Sequence, residues 1–144
     1  MSSIIEFFVA PHHEAAAAAV EFGPSRDPES PKYGNFDVEE ALIEWEALLT
    51  GRSFDELVSA GEPEPVADSD GEGPFVLALS EALQDALAGA DRARLDEVGG
   101  LWIEERAADG EEFDVEITAE ILDGLATLAR DAIGRGRRVY CWTA

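Results

Sequence analysis

The chain has 144 residues, 32 of them Asp or Glu against 10 Lys or Arg, for a formal net charge of −22. Its length fits one domain over residues 1–144. Leu, Ile, Val and Phe total 36 residues, enough for a core rather than a disordered acidic chain. Charge of this sign argues against nucleic-acid phosphates and anionic membranes as partners.

No apolar run approaches the ~20 residues of a spanning helix. Met1-Ser2-Ser3 lacks the basic start of a signal peptide, so a cytoplasmic location is expected. Cys141 is the single cysteine, which excludes an intramolecular disulfide and a cysteine zinc cluster. No metal or cofactor is expected.

Ser3 to Val9 reads as a strand, with Ser3, Ile5, Phe7 and Val9 on one face and Ile4, Glu6 and Phe8 on the other. Both faces are mostly apolar, as in a strand covered on both sides. Pro11 fits the first position of a helix over His12 to Phe22, which stops at Gly23-Pro24. Gly23 to Asn35 reads as a loop. Asp37 is the expected N-cap of a helix to Leu49, with Val38, Ala41, Leu42, Trp45, Leu48 and Leu49 on one face. One or two turns over Ser53 to Ala60 follow.

Pro63 and Pro65 forbid a helix in Glu62 to Gly73. Pro65 to Ala67 and Phe75 to Leu79 are compatible with a hairpin across Asp68-Ser69-Asp70-Gly71, or with a loop. Ser80 caps a helix to Ala88, and Asp91 caps the next, which Gly99-Gly100 weakens and is expected to end early. Thr118 is the expected cap of the last helix, on the recurrence of Ile117, Ile121, Leu125, Leu128 and Ala132. Gly134 and Gly136 suit its C-terminus, and Arg137 to Thr143 reads as a strand. A strand at each end with helices between predicts an α+β fold: a small mixed sheet with N- and C-terminal strands paired or adjacent, and helices packed against it.

The helix carrying Trp45-Glu46-Ala47-Leu48-Leu49-Thr50-Gly51 resembles the YfbM-like family of small bacterial proteins. The order of an N-terminal Phe7-Phe8 strand, a Ser80 helix, a long late helix and Gly136 before a terminal strand is also similar. Arg138-Val139-Tyr140-Cys141-Trp142 looks like the terminus of acidic actinobacterial proteins. Glu46 and Ala47 stand where family members usually carry an aromatic residue or His. The resemblance implies an α+β fold and no particular activity.

Candidate chemistry is sparse. His12 and His13 are the only histidines; adjacent on a helix they project about 100° apart and cannot chelate as an i, i+4 pair would, but either suits acid–base work. Asp68-Ser69-Asp70-Gly71-Glu72 has the look of part of a calcium loop, yet the register puts Val66 and Leu77 where oxygen ligands are required. Glu6 interrupts an apolar strand, so its carboxyl either has a raised pKa or meets a cation. Arg138, on a face with Tyr140 and Trp142, is the expected partner if the terminal strands pair. Cys141 reads as buried and inert. Arg135, Arg137 and Arg138 suit either a helix C-terminus or a phosphate.

Charge divides along the chain: residues 1–129 carry 6 basic and 31 acidic groups, and residues 130–144 carry 4 and 1. Phe36 to Glu72 holds 12 acids and one Arg. The first functional expectation is therefore a non-catalytic cytoplasmic binding module of inhibitor or immunity type. Its acidic face, Glu39, Glu40, Glu44 and Glu46 with Trp45, would meet a basic protein, and Arg138, Tyr140 and Trp142 are further binding candidates. The second is a small-molecule binder or hydrolase-like enzyme, with a pocket of Trp45, Trp102, Tyr140 or Trp142 and Glu6 as acid or base. The chain is expected to be a monomer or a homodimer, the latter if the terminal strand lies at a sheet edge.

Overall fold

In the computed structural model, residues 5–18, 32–33, 37–68 and 74–143 are described. The N-terminal strand β1 (Ile5–Ala10) and the C-terminal strand β5 (Arg138–Thr143) pair antiparallel, with Phe7 opposite Cys141 and Val9 opposite Val139. Between them in sequence lie α1 (His13–Ala17), β2 (Lys32–Tyr33), α2 (Val38–Thr50), α3 (Phe54–Ser59), β3 (Glu64–Asp68), β4 (Phe75–Ala78), α4 (Glu81–Gly89), α5 (Arg92–Ala108) and α6 (Val115–Gly134). The sheet order is β2-β1-β5-β4-β3.

The fold is α+β with paired terminal strands, and every strand pairing is antiparallel rather than mixed. The terminal strand is central, with β1 on one side and β4 on the other. An edge at β5 for dimer pairing therefore does not exist; the described edges are β2 and β3. Strands β3 and β4 pair antiparallel with a register shift between Pro65 and Ala67, and the segment between them, Ser69 to Gly73, lies outside the described residues. So does the end of the expected first helix beyond Ala18. The two-residue β2 falls inside a stretch read as loop.

Alternation of side chains along β1 and β5 makes two cores. Ile5, Phe7, Leu77, Val139 and Cys141 bury against α2, α4, α5 and α6. Ala10, Val76, Ala78 and Tyr140, with Phe8 and Trp142 beside them, pack around Ala16 of α1 on the opposite face. This is why both faces of the Phe7-Phe8 strand are apolar.

Side-chain caps set the helix starts. Asp37, Ser53, Ser80 and Asp91 accept from the backbone N–H three residues on, at 2.8–3.1 Å. Gly51 closes α2 at φ 79°, a left-handed conformation that glycine adopts without strain.

Three expected boundaries move. His12, not Pro11, sits at the start of α1, its Nδ1 accepting from Ala15 N at 3.1 Å. Asp114 caps α6 four residues before Thr118, which instead donates its hydroxyl to the Asp114 carbonyl at 2.8 Å. Ile117, expected in the core stripe, is consequently 53% exposed. Finally, α5 runs straight through Gly99-Gly100. A Cβ on Gly99 would lie 3.3 Å from Leu122 Cδ1 and 3.4 Å from Thr118 Cγ2, so this glycine lets α6 approach closely.

Candidate functional site

Helix α2 has to bury Val38, Ala41, Leu42 and Trp45 along one stripe, and the acids interleaved with them cannot all face water. Glu39 is exposed and Glu40 half-buried, but Glu44 and Glu46 are 8% and 2% exposed. The expected four-carboxylate surface is therefore corrected: two members turn inward and have protein partners.

Glu44 faces α5. Its Oε1 accepts from the Trp102 indole N–H at 3.1 Å and its Oε2 lies 2.7 Å from Arg106. Burial pushes the Glu44 carboxyl up, opposed by Trp102 and Arg106 and reinforced by repulsion from Glu40 and Glu105. Arg106 also meets Glu40 and Asp109 at 3.0 Å each and Glu111 at 3.8 Å. Burial disfavours its charge, but Glu44, Glu40, Asp109 and Glu111 outweigh that and hold the guanidinium pKa above its usual value.

Glu46 points the other way around α2. Its Oε1 accepts the Ser80 hydroxyl at 2.6 Å and its Oε2 lies 3.6 Å from Arg52. The nearby Glu62 carboxyl is pushed up by burial and by the charges of Glu46 and Glu64, against Arg138 and Arg52.

Beside these pairs a cleft of about 480 Å³ opens between α2, α3 and α5. Glu40, Glu44 and Glu105 supply its negative charge, Arg52 and Arg106 its positive charge, and Ser53 and Phe54 stand at α3. Both guanidiniums are committed: Arg52 lies 3.6 Å from Glu46 and 3.9 Å from Glu56, and Arg106 has four carboxylates within 4 Å. With three carboxylates against two guanidiniums, the cleft lining is net negative. No family model matches the chain, and neither a curated protein nor a solved structure matches it.

The four aromatics of the second expectation do not share one pocket. Trp45 and Trp102 pack edge to face at 5.3 Å in the helical core, while Tyr140 and Trp142 belong to the opposite face of the sheet. Glu6, buried on that opposite face, is in register with Lys32 of β2 and Trp142 of β5. Arg138 is opposite Ala10, four residues along β1, and its guanidinium donates to the Leu79 carbonyl. Pairing of the strands thus does not bring Glu6 and Arg138 opposite each other.

His13 contributes an arrangement that its sequence neighbours gave no sign of. Its Nδ1 lies 2.9 Å from the Tyr140 hydroxyl and its Nε2 lies 3.1 Å from Glu64 Oε2. A carboxylate only accepts, so Nε2 carries a proton; in the neutral ring Nδ1 then accepts from the tyrosine hydroxyl. Burial raises the Tyr140 pKa, with Arg138 lowering it and Glu64 raising it. The hydroxyl is fully buried with its residue, so this chain of bonds ties α1 and β3 to β5. His12 is spent on its cap.

Gln84 was not singled out from sequence, yet its buried amide accepts from Val139 N at 2.9 Å and donates to the Arg137 carbonyl at 3.2 Å, fixing the start of β5. Asp70, Gly71 and Glu72 of the calcium-loop comparison lie outside the described residues. None of the described helices is long and apolar enough to cross a membrane.

Proposed function

We propose that this protein is a non-catalytic cytoplasmic binding module that receives a Lys or Arg side chain of a basic protein partner in the α2–α3–α5 cleft, as an inhibitor or immunity-type protein would. The observation that carries this reading is the charge balance around the cleft. Arg52 and Arg106 are each already matched by two or more carboxylates, and Glu105 adds negative charge that raises the pKa of Glu44. A further cation relieves that repulsion, whereas an anion adds to it. Phe54 at the cleft is 41% exposed, which gives an entering guanidinium or ammonium a ring face. On the Trp45 to Gly51 stretch we also propose kinship with the YfbM-like proteins.

The test is capture at low ionic strength with the wild-type chain and a Glu40→Gln/Glu105→Gln variant as parallel baits. The expected result is a basic protein held by the wild type and lost by the variant, with association slowing about tenfold or more as salt rises from about 50 to 500 mM. Equal capture by both baits, or an association rate insensitive to salt, overturns the assignment to this cleft.

A further inference from the structure

A second surface, separate from the cleft, lies between α5 and α6. There a groove of about 330 Å³ is walled by Gly99, Gly100 and Ile103 on one side and by Val115 and Ala119 on the other, with Asp96 and Glu116 at its borders. Val115, the first residue of α6, is 67% exposed at this groove.

The two glycines have different explanations. Gly99 makes room for Leu122 and Thr118 of α6, as described above. Gly100 does not: a Cβ placed there meets nothing within 4 Å. An interior helix glycine costs about 1 kcal/mol relative to alanine, and nothing within the described chain requires this one. What its missing side chain does is deepen the groove.

The charge around this groove is one-sided. From Asp96 to Asp123 the sequence holds eleven acids and one basic residue, Arg106. That arginine is turned into the Glu40–Glu44 cluster rather than to the groove. Asp96, Glu97, Glu104, Glu112, Glu116 and Glu120 are all exposed. Arg94, earlier in α5, pairs with Glu97, but no Lys or Arg lines the groove itself. An apolar floor bordered by Asp96 and Glu116 is complementary to one kind of element: a helix with an aliphatic stripe flanked by Lys and Arg.

We infer that the α5–α6 groove docks a cationic amphipathic helix of a partner protein, its aliphatic stripe over Gly100 and against Val115 and its basic flanks on Asp96 and Glu116. This stands on the groove's own observations and goes beyond the side-chain cleft proposed above.

The experiment uses the full chain and three synthetic helical peptides of about 18 residues, or five turns. The first has Leu and Ile at i, i+3, i+4 and i+7 with Lys and Arg flanks, the second the same stripe with Glu flanks, and the third the basic flanks with Ser in the stripe. Fluorescence anisotropy is read with the wild type, with Gly100→Leu, which fills the groove while favouring helix, and with Glu40→Gln/Glu105→Gln. The expected result is binding of the first peptide alone, weakened about tenfold or more by Gly100→Leu. The cleft variant keeps the wild-type affinity within about twofold, so failure of the groove and failure of the cleft are told apart. Absence of binding by the first peptide, equal binding of the Ser-striped peptide, or indifference to Gly100→Leu each overturns the inference.

Discussion

The Trp102 indole N–H and the Glu44 carboxylate meet at 3.1 Å although 58 residues separate them in sequence. Together with Arg106 they turn what would be a surface glutamate into the link between α2 and α5. An ion pair in this position is weak evidence of net stability, but removing one member leaves the other charge buried. The chain with Arg106→Met is therefore expected to lose about 3–5 kcal/mol in urea denaturation, and the Glu44→Gln/Arg106→Met pair to recover part of that loss. A single variant within about 1 kcal/mol of wild type would show that Glu44 reaches water without its arginine.

Ser80 has a second role that ordinary caps lack. Its oxygen accepts from Leu83 N at 3.0 Å while its hydroxyl donates to buried Glu46 at 2.6 Å. Replacing an exposed cap such as Asp37 by alanine costs about 1 kcal/mol. Ser80→Ala loses the cap and also a donor to a buried carboxylate, so the expected loss is about 2–4 kcal/mol. Equal melting shifts for Ser80→Ala and Asp37→Ala would sink this account.

These two sites show where sequence reading stops. The helical stripe of Leu42 and Trp45, the Ser80 and Asp91 caps and the apolar terminal strands are local patterns, and each forms as expected. The fates of Glu44 and Glu46 are not local, because α5 and the N-cap of α4 supply their partners. Periodicity reports which residues a helix buries first, and acids wedged between them are dragged inward only if donors wait elsewhere. Similarly, Gly99-Gly100 has poor helix propensity, and only the approach of α6 explains why α5 continues. The Asp114 start of α6 was legible in principle, since Asp ranks above Thr as an N-cap, but the apolar recurrence at Ile117 pointed one turn too late.

Glu62 gives stability a pH dependence. Its folded pKa is raised above the ordinary 4.5 by burial and by Glu46 and Glu64. The folded chain therefore keeps a proton that the unfolded chain has released. Its contribution to stability is full below 4.5 and is lost as pH rises through the raised value. At low salt the urea midpoint should fall as pH rises above about 4.5, and Glu62→Gln should flatten that fall. A midpoint that rises over the same window in both proteins would mean that the ion-paired carboxylates outweigh Glu62.

Cys141 is the one nucleophilic thiol, and the fold withholds it. It is wholly buried on the helical face of β5, and burial pushes its pKa up to about 12, with Thr143 pulling slightly the other way. A thiol must ionise and be reached in order to react, so alkylation of the native chain has to wait for opening of the sheet. Iodoacetamide labelling is expected to track the urea unfolding curve. Its rate in native buffer should rise with pH as an ordinary thiol near 8.5 does, because the species attacked is the opened chain. Stoichiometric labelling in native buffer at a rate matching a free thiol would place Cys141 at the surface and break the assignment of β5 to the centre of the sheet.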